Sequence, residues 1–181
     1  NIAYMYLLED QNMYNNKKFI DRYLTLSTDE EQQKEVKQIY NAVKNLNQGN
    51  KLPEIKLIDA DLNQISLDSK LLNKETVLFF WTSQAESHLK YVHKRVHDYQ
   101  KKFPNVNFIA INVDDTNETW MKTKSKFDMS NITELRAANF EEIKRLWVIT
   151  KIHRTIILSK EGTIKKGFAN LFDVNFEKDL N

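Results

Sequence analysis

The sequence contains no cysteine in its 181 residues. That single absence removes disulfides, thiolate metal sites and cysteine nucleophiles together, and it says nothing about compartment. Glycine occurs three times (Gly49, Gly162, Gly167) and proline twice (Pro53, Pro104). Neither GxGxxG nor GxxxxGK[ST] can be written with so few glycines, so Gly-rich phosphate loops are excluded. No run approaches the ~20 apolar residues that would span a bilayer as a helix. There is no secretory signal pattern either. The chain opens on Asn1 rather than Met, which is the expectation for an expressed piece of a longer chain or a mature fragment, either of which leaves room for a removed targeting segment. Charge of one sign is also lacking, with 27 Lys and Arg against 25 Asp and Glu. That balance gives no electrostatic case for nucleic acid, which calls for a clustered basic face.

What is present suits a packed domain. Hydrophobic residues make up 41% and aromatic residues 11%, enough for one good core or a core with a small appendage. The first 47 residues read as helical. Short helices are expected near Ala3 to Leu8 and over Lys17 to Leu24. Across residues 29–47, Val36, Ile39, Tyr40, Val43 and Leu46 recur at helical spacing. Ser27 or Thr28 can cap that helix, with Glu30 and Glu31 completing a capping box. Asn47 to Lys51 reads as a linker, with Gly49 as the helix stop.

After Pro53 the pattern changes to strands alternating with helices. Glu54–Ile58 is apolar at alternate positions, Asp59–Asn63 is a turn, and Gln64–Leu67 is a second short strand. TVLFFW (Thr76–Trp81) is a continuous apolar run, as expected of a strand buried on both faces. A helix over about Glu86 to Lys102 carries the stripe Leu89, Val92, Val96, Tyr99 and Phe103, and Pro104 ends it. NFIAINV (Asn107–Val113) is a second buried strand. Helices follow through Trp120 and over Glu141–Leu146. Arg154–Leu158 and Thr163–Phe168 form a hairpin-like pair around Lys160-Glu161-Gly162. Phe176–Leu180 closes as a terminal helix. This order predicts a small α/β sheet with helices on both faces.

The order of elements resembles the thioredoxin superfamily, in particular its TlpA/ResA-type, AhpC/TSA-related branch. Four fragments carry the resemblance. GNKLPEIKLIDADLNQISL (Gly49–Leu67) resembles that branch's opening, with Asn63 where a glycine is usual. VLFFWTSQAESH (Val77–His88) resembles the strand running into F-W-[AS]-x-W-C-x-x-C. FIAINVDD (Phe108–Asp115) and RTIILSKEGTI (Arg154–Ile164) resemble the next strand and the x-x-F-L-I-D-x-x-G-x-I hairpin. The helical lead-in also resembles that of envelope proteins of Bacteroidota. The resemblance implies a thioredoxin-like mixed central sheet flanked by helices over 49–181, preceded by a helical segment over 1–48. That segment would be a remnant of, or connector to, an upstream domain or lipid anchor. The location implied is the periplasm or outer cell envelope.

The resemblance also says where a redox site would be. Aligned on Phe80-Trp81, Ala85 takes the place of the attacking cysteine and His88 that of the resolving one. His153 takes the place of the cis-proline. Thiol–disulfide exchange needs a thiolate on one residue and a second sulfur to resolve the mixed disulfide. Neither Ala85 nor His88 supplies one. A non-proline cis bond would cost ~3 kcal/mol, so a trans bond is expected at His153. The residues expected to line the remaining groove are Trp81, Gln84, Ala85, Glu86, His88, Lys151, Ile152 and His153.

Other constellations have a chemical and a structural reading. His88, His153 and Glu86 could form a metal or acid–base set, against the plainer reading that His88 packs at a helix start. His93 and His97 share a helix face at i, i+4, but Lys94, Arg95 and Asp98 favour a solvated surface. Ser87 and His88 point about 100° apart on a helix and cannot act as a nucleophile and base. Asp114 and Asp115 end a strand, where α/β folds place ligands, but short acidic turns commonly cap helices. Trp81 and Trp147 are core or groove-wall residues, and KTKSK (Lys122–Lys126) is a wet helix face. The expectation is a redox-inactive binding or scaffold module for a protein or peptide, with no cofactor and no catalytic residue. The alternatives are an enzyme working through the histidines, or a chain grouped with thiol–disulfide oxidoreductases by resemblance alone.

Overall fold

The computed structural model describes residues 2–9, 12–127 and 131–180. Three helices come first: α1 (Ile2–Glu9), α2 (Met13–Leu26) and α3 (Glu30–Asn45). Asn12 caps α2, its side chain accepting from the Tyr14 and Asn15 amides. The cap of α3 is Asp29, which accepts from Gln32 N; the expected Ser27 and Thr28 lie outside it. A carboxylate there both satisfies an orphan amide and meets the positive end of the helix dipole. Ala3, Leu7, Ile20 and Val36 form a small core of their own between the three helices. Further along α3, Val43 and Leu46 are also buried, and Leu46 joins the main core.

Seven strands follow: β1 (Leu57–Ile58), β2 (Gln64–Ile65), β3 (Thr76–Trp81), β4 (Asn107–Asn112), β5 (Thr133–Ala137), β6 (Thr155–Leu158) and β7 (Ile164–Ala169). They make one mixed sheet in the order β2-β1-β5-β4-β3-β6-β7. Strands β3, β4 and β5 run parallel, and β6, β7, β1 and β2 pair antiparallel at the flanks. The parallel centre is covered on both faces, which is why β3 and β4 read as unbroken apolar runs. Side chains alternate between faces. Leu78, Phe80, Ile109 and Ile111 share one core with Leu135, Ile143 and Trp147. Val77, Phe79, Trp81, Phe108 and Ala110 share the other with α4 (Glu86–Lys102), through Leu89, Val92, Val96 and Tyr99, and with Trp120 of α5 (Asn117–Lys124). Helix α6 (Phe140–Leu146) brings Ile143 to the first core.

Some expectations need correcting. The expected strands over 54–58 and 64–67 are only two residues each. Their turn is closed by the Asp59 carboxylate, which accepts from the Asp61 and Asn63 amides. The left-handed residue there is Leu62 (φ 64°). The C-terminal helix is a single 3-10 turn over Phe176–Asp179. Gly49 (φ 89°) lies beyond the end of α3, where its amide donates to Ile164 O and ties the lead-in to the hairpin. Strand β5 was not expected at all. Among the described residues every peptide bond is trans.

Candidate functional site

The site expected from sequence lies where β3 leaves the sheet and β6 enters it. The β3–β6 ladder ends at Phe79 opposite Thr155. The segment after Trp81 and the segment before Arg154 therefore emerge at the same end. Ala85 is the N-cap of α4 and supplies no side-chain cap. His88, one turn in, is half-buried and turns back to the strand, its Nε2 lying 2.9 Å from Phe80 O. A carbonyl only accepts, so Nε2 carries the proton and Nδ1 is left as acceptor. The ring sits edge-on to Phe172 with centroids 6.0 Å apart. Burial lowers the His88 pKa from its usual value, and the neighbouring charges of His153 and His93 lower it further, against the Phe80 hydrogen bond.

The residues expected to line the groove divide by exposure. Gln84, Glu86, Lys151 and His153 are exposed, and Ala85, His88 and Ile152 are half-buried. Trp81 is a correction: it is wholly buried and belongs to the core rather than to a groove wall. Trp147 is buried too, donating from Nε1 to Pro53 O at 2.7 Å. Glu86 is paired on the helix surface with Lys90 at 2.7 Å, and the Lys90 hydrogen bond holds its carboxyl below the usual range. Among the described residues no three His, Asp or Glu side chains come together as a metal would need.

Two buried polar networks brace this end of the sheet, and neither was expected. In the first, Asp115 accepts from Ser83 N (3.0 Å) and Ser83 Oγ (2.6 Å). Asn112 at the end of β4 donates its amide to the same carboxylate and accepts from Asp115 N. Asp115 was read as a helix cap, but Thr116 caps α5. Asp115 instead clamps the loop that leads to Ala85. In the second, His93 is 4% exposed, not the solvated residue that its charged sequence neighbours suggested. Its Nδ1 faces Leu89 O and its Nε2 faces Glu134 Oε1, both at 2.9 Å. Trp81 Nε1 donates to Glu134 Oε2 at 3.1 Å. The helical spacing of Leu89, His93 and Val96 is the signal that would have placed His93 inward. Glu134 lies on the unexpected strand, so nothing local pointed to it.

The comparisons bear on the fold. The sequence model of a family described as thioredoxin-like matches residues 73–164. Among curated proteins none matches. Among solved structures, one similar chain is a provisionally assigned thiol-disulfide oxidoreductase from Bacteroides vulgatus. It is 17% identical with a TM-score of 0.64, and the match covers 74% of this chain and 94% of that one. The C-terminal domain of a second such protein, from Bacteroides thetaiotaomicron, is 21% identical with a TM-score of 0.62, covering 73% and 92%. The thioredoxin domain of a thiol-disulfide oxidoreductase from Bacteroides vulgatus is 21% identical with a TM-score of 0.53, covering 75% and 99%. At such identities the likeness is one of fold.

Proposed function

The chain belongs to the thioredoxin-like family yet carries no thiol, and from that premise we propose that it is a redox-inactive binding module that holds an extended peptide segment of a protein partner. The observation that carries this reading is the condition of the former redox loop. Ala85, which the resemblance puts at the attacking position, is the N-cap of α4, and the loop before it is held by the Asp115 carboxylate through Ser83. The clamped loop carries the exposed Gln84, and Glu86 at the start of α4 and Lys151 and His153 before β6 are exposed too; the held loop lowers the ordering cost of binding. The inward turn of His88 to Phe80 O occupies its donor nitrogen in structure rather than in chemistry. The resemblance to TlpA- and ResA-type proteins supports a setting in the bacterial periplasm or outer cell envelope. No helix among the described residues is long and apolar enough to cross a membrane.

The test is selection of peptides from a displayed library on the whole chain. Selected peptides should lose at least ~10-fold in affinity when Gln84→Ala and Lys151→Ala are combined, the size of a lost hot-spot contact or two. Peptides that bind the double variant as well as the parent would overturn the assignment of the groove. Insulin reduction with dithiothreitol should proceed at the rate seen without protein. Dithiol-dependent turnover by the pure chain would overturn the reading altogether.

A further inference from the structure

Behind the 150–154 segment lies a cavity of about 740 Å³ that the groove argument does not use. Its walls come from four parts of the fold, the segment after β7 supplying Asn170, Asp173, Asn175 and Asp179. Helix α1 contributes Met5, Leu8 and Glu9, the segment before β6 contributes Lys151, His153 and Arg154, and β7 contributes Lys166 and Phe168. The volume lies in the range of small-molecule sites. Met5, Leu8 and Phe168 supply apolar surface, and Lys151 and Arg154 supply cationic groups, Arg154 lying against Phe168.

Arg154 is the informative residue. It is only 9% exposed, yet among the described residues no carboxylate pairs with it. Its Nη1 donates to Val148 O at 2.8 Å, and its Nη2 to Trp147 O (3.1 Å) and Gly167 O (2.7 Å). These partners are neutral carbonyls, Nε has no partner, and the guanidinium lies over the Phe168 ring at 4.0 Å. Burial pushes its pKa down to about 9. A buried cation without a counter-charge is costly, and proteins normally pair it. Of the two acids after β7, one is already engaged. Asp179 is paired with Lys166 at 2.7 Å, whereas Asp173 accepts only from the neutral Asn175 amide at 2.8 Å and keeps its charge. Glu9 faces the cavity from α1 and opposes an anion near that wall.

We propose that this cavity binds an amphipathic carboxylate, an acid group carried on an alkyl or aryl tail. The acid group lies against Lys151, His153 and Arg154, and the tail lies along Met5, Leu8 and Phe168. The site shares Lys151 and His153 with the groove but not Gln84 or Glu86, so the two readings can fail separately.

The probe is octanoate, titrated into the whole chain and followed by heteronuclear NMR and calorimetry, with octan-1-ol as the uncharged control. Saturable binding is expected, with shifts at Met5, Leu8 and Ala169. The alcohol should bind at least ~10-fold more weakly, the size of one charge-assisted contact. The double variant Lys151→Ala, His153→Ala should weaken octanoate to a similar degree, and Glu9→Gln should strengthen it. Gln84→Ala should leave it unchanged, whatever that variant does to peptides. Arg154→Gln should abolish binding. If that variant fails to fold, the double variant, built at two exposed residues, decides. No saturable binding, equal binding of the alcohol, or full-strength binding by the double variant would overturn the proposal.

Discussion

Replacing Glu134 tests the larger buried network, because two replacements of similar size should behave very differently. His93 Nδ1 faces a carbonyl and must donate to it. The contact between His93 Nε2 and Glu134 Oε1 therefore holds one proton, and Glu134 Oε2 accepts a second from Trp81. In Glu134→Gln, the amide NH2 donates to the now acceptor Nε2 and the amide oxygen still accepts from Trp81. Every group stays partnered and no charge is buried, so the cost should stay below ~1.5 kcal/mol, the scale of one ordinary hydrogen bond. In Glu134→Leu, the imidazole and the indole N–H both lose their partner in a core where they are 4% or less exposed. Breaking a buried pair on one side costs ~3–5 kcal/mol. For a chain of this size, that lowers Tm by roughly 6–20 °C at ~2–4 °C per kcal/mol. Urea unfolding followed by tryptophan fluorescence gives both values. A Leu variant within ~1 kcal/mol of the parent, or a Gln variant as damaged as the Leu variant, would refute the reasoning.

Three further outcomes follow from the structure. Asp115→Ala removes the carboxylate that holds Ser83 and Asn112; it should cost ~2 kcal/mol or more and speed amide exchange at Ser83 and Gln84. Unchanged exchange at Ser83 would show that the loop is held by something else. His88 has a lowered pKa, from burial first and then the charges of His153 and His93. The unfolded chain therefore binds more protons just below the usual histidine range, and stability should rise with pH through that window and fall as the solution is acidified. His88→Gln should flatten this dependence in urea midpoints taken across pH 5 to 7, and an unaltered slope would assign it to another group. Gly167→Ala places a methyl carbon 2.2 Å from Leu46 O, a clash with backbone where α3 meets the sheet. It should cost ~1–3 kcal/mol, read as a lower Tm, and an unchanged Tm would mean that α3 moves freely on the sheet.

How much of this was legible depended on the range of the interactions. Strands β3 and β4 and helix α4 were legible because burial on both faces, or on one helical stripe, writes a local pattern. Strand β5 was not, because TELRA alternates in a way that the charges of Glu134 and Arg136 disguise. Glu134 is tolerable there only because Trp81 and His93 meet it, 53 and 41 residues away in sequence. The same reason hid His93, whose flanking charges suggested water while its place between Leu89 and Val96 faced the core. Asp115 looked like a cap because its partner Ser83 sits 32 residues away on the neighbouring loop. Arg154 passed as the charged start of a strand, since its partners are backbone carbonyls that no sequence pattern displays. That Ala85, His88 and His153 stand in for two cysteines and a proline is what the resemblance implies; that the segments carrying them emerge at one end of the sheet follows from the β3–β6 register.

Rebuilding the redox site tests most directly whether Ala85, His88 and His153 occupy its former positions. The variant Ala85→Cys, His88→Cys, His153→Pro, treated with a mild oxidant, should form one intramolecular disulfide that dithiothreitol reduces, seen by mass as the loss and return of ~2 hydrogens. Two thiols that stay free under oxidant in a folded protein would contradict the account.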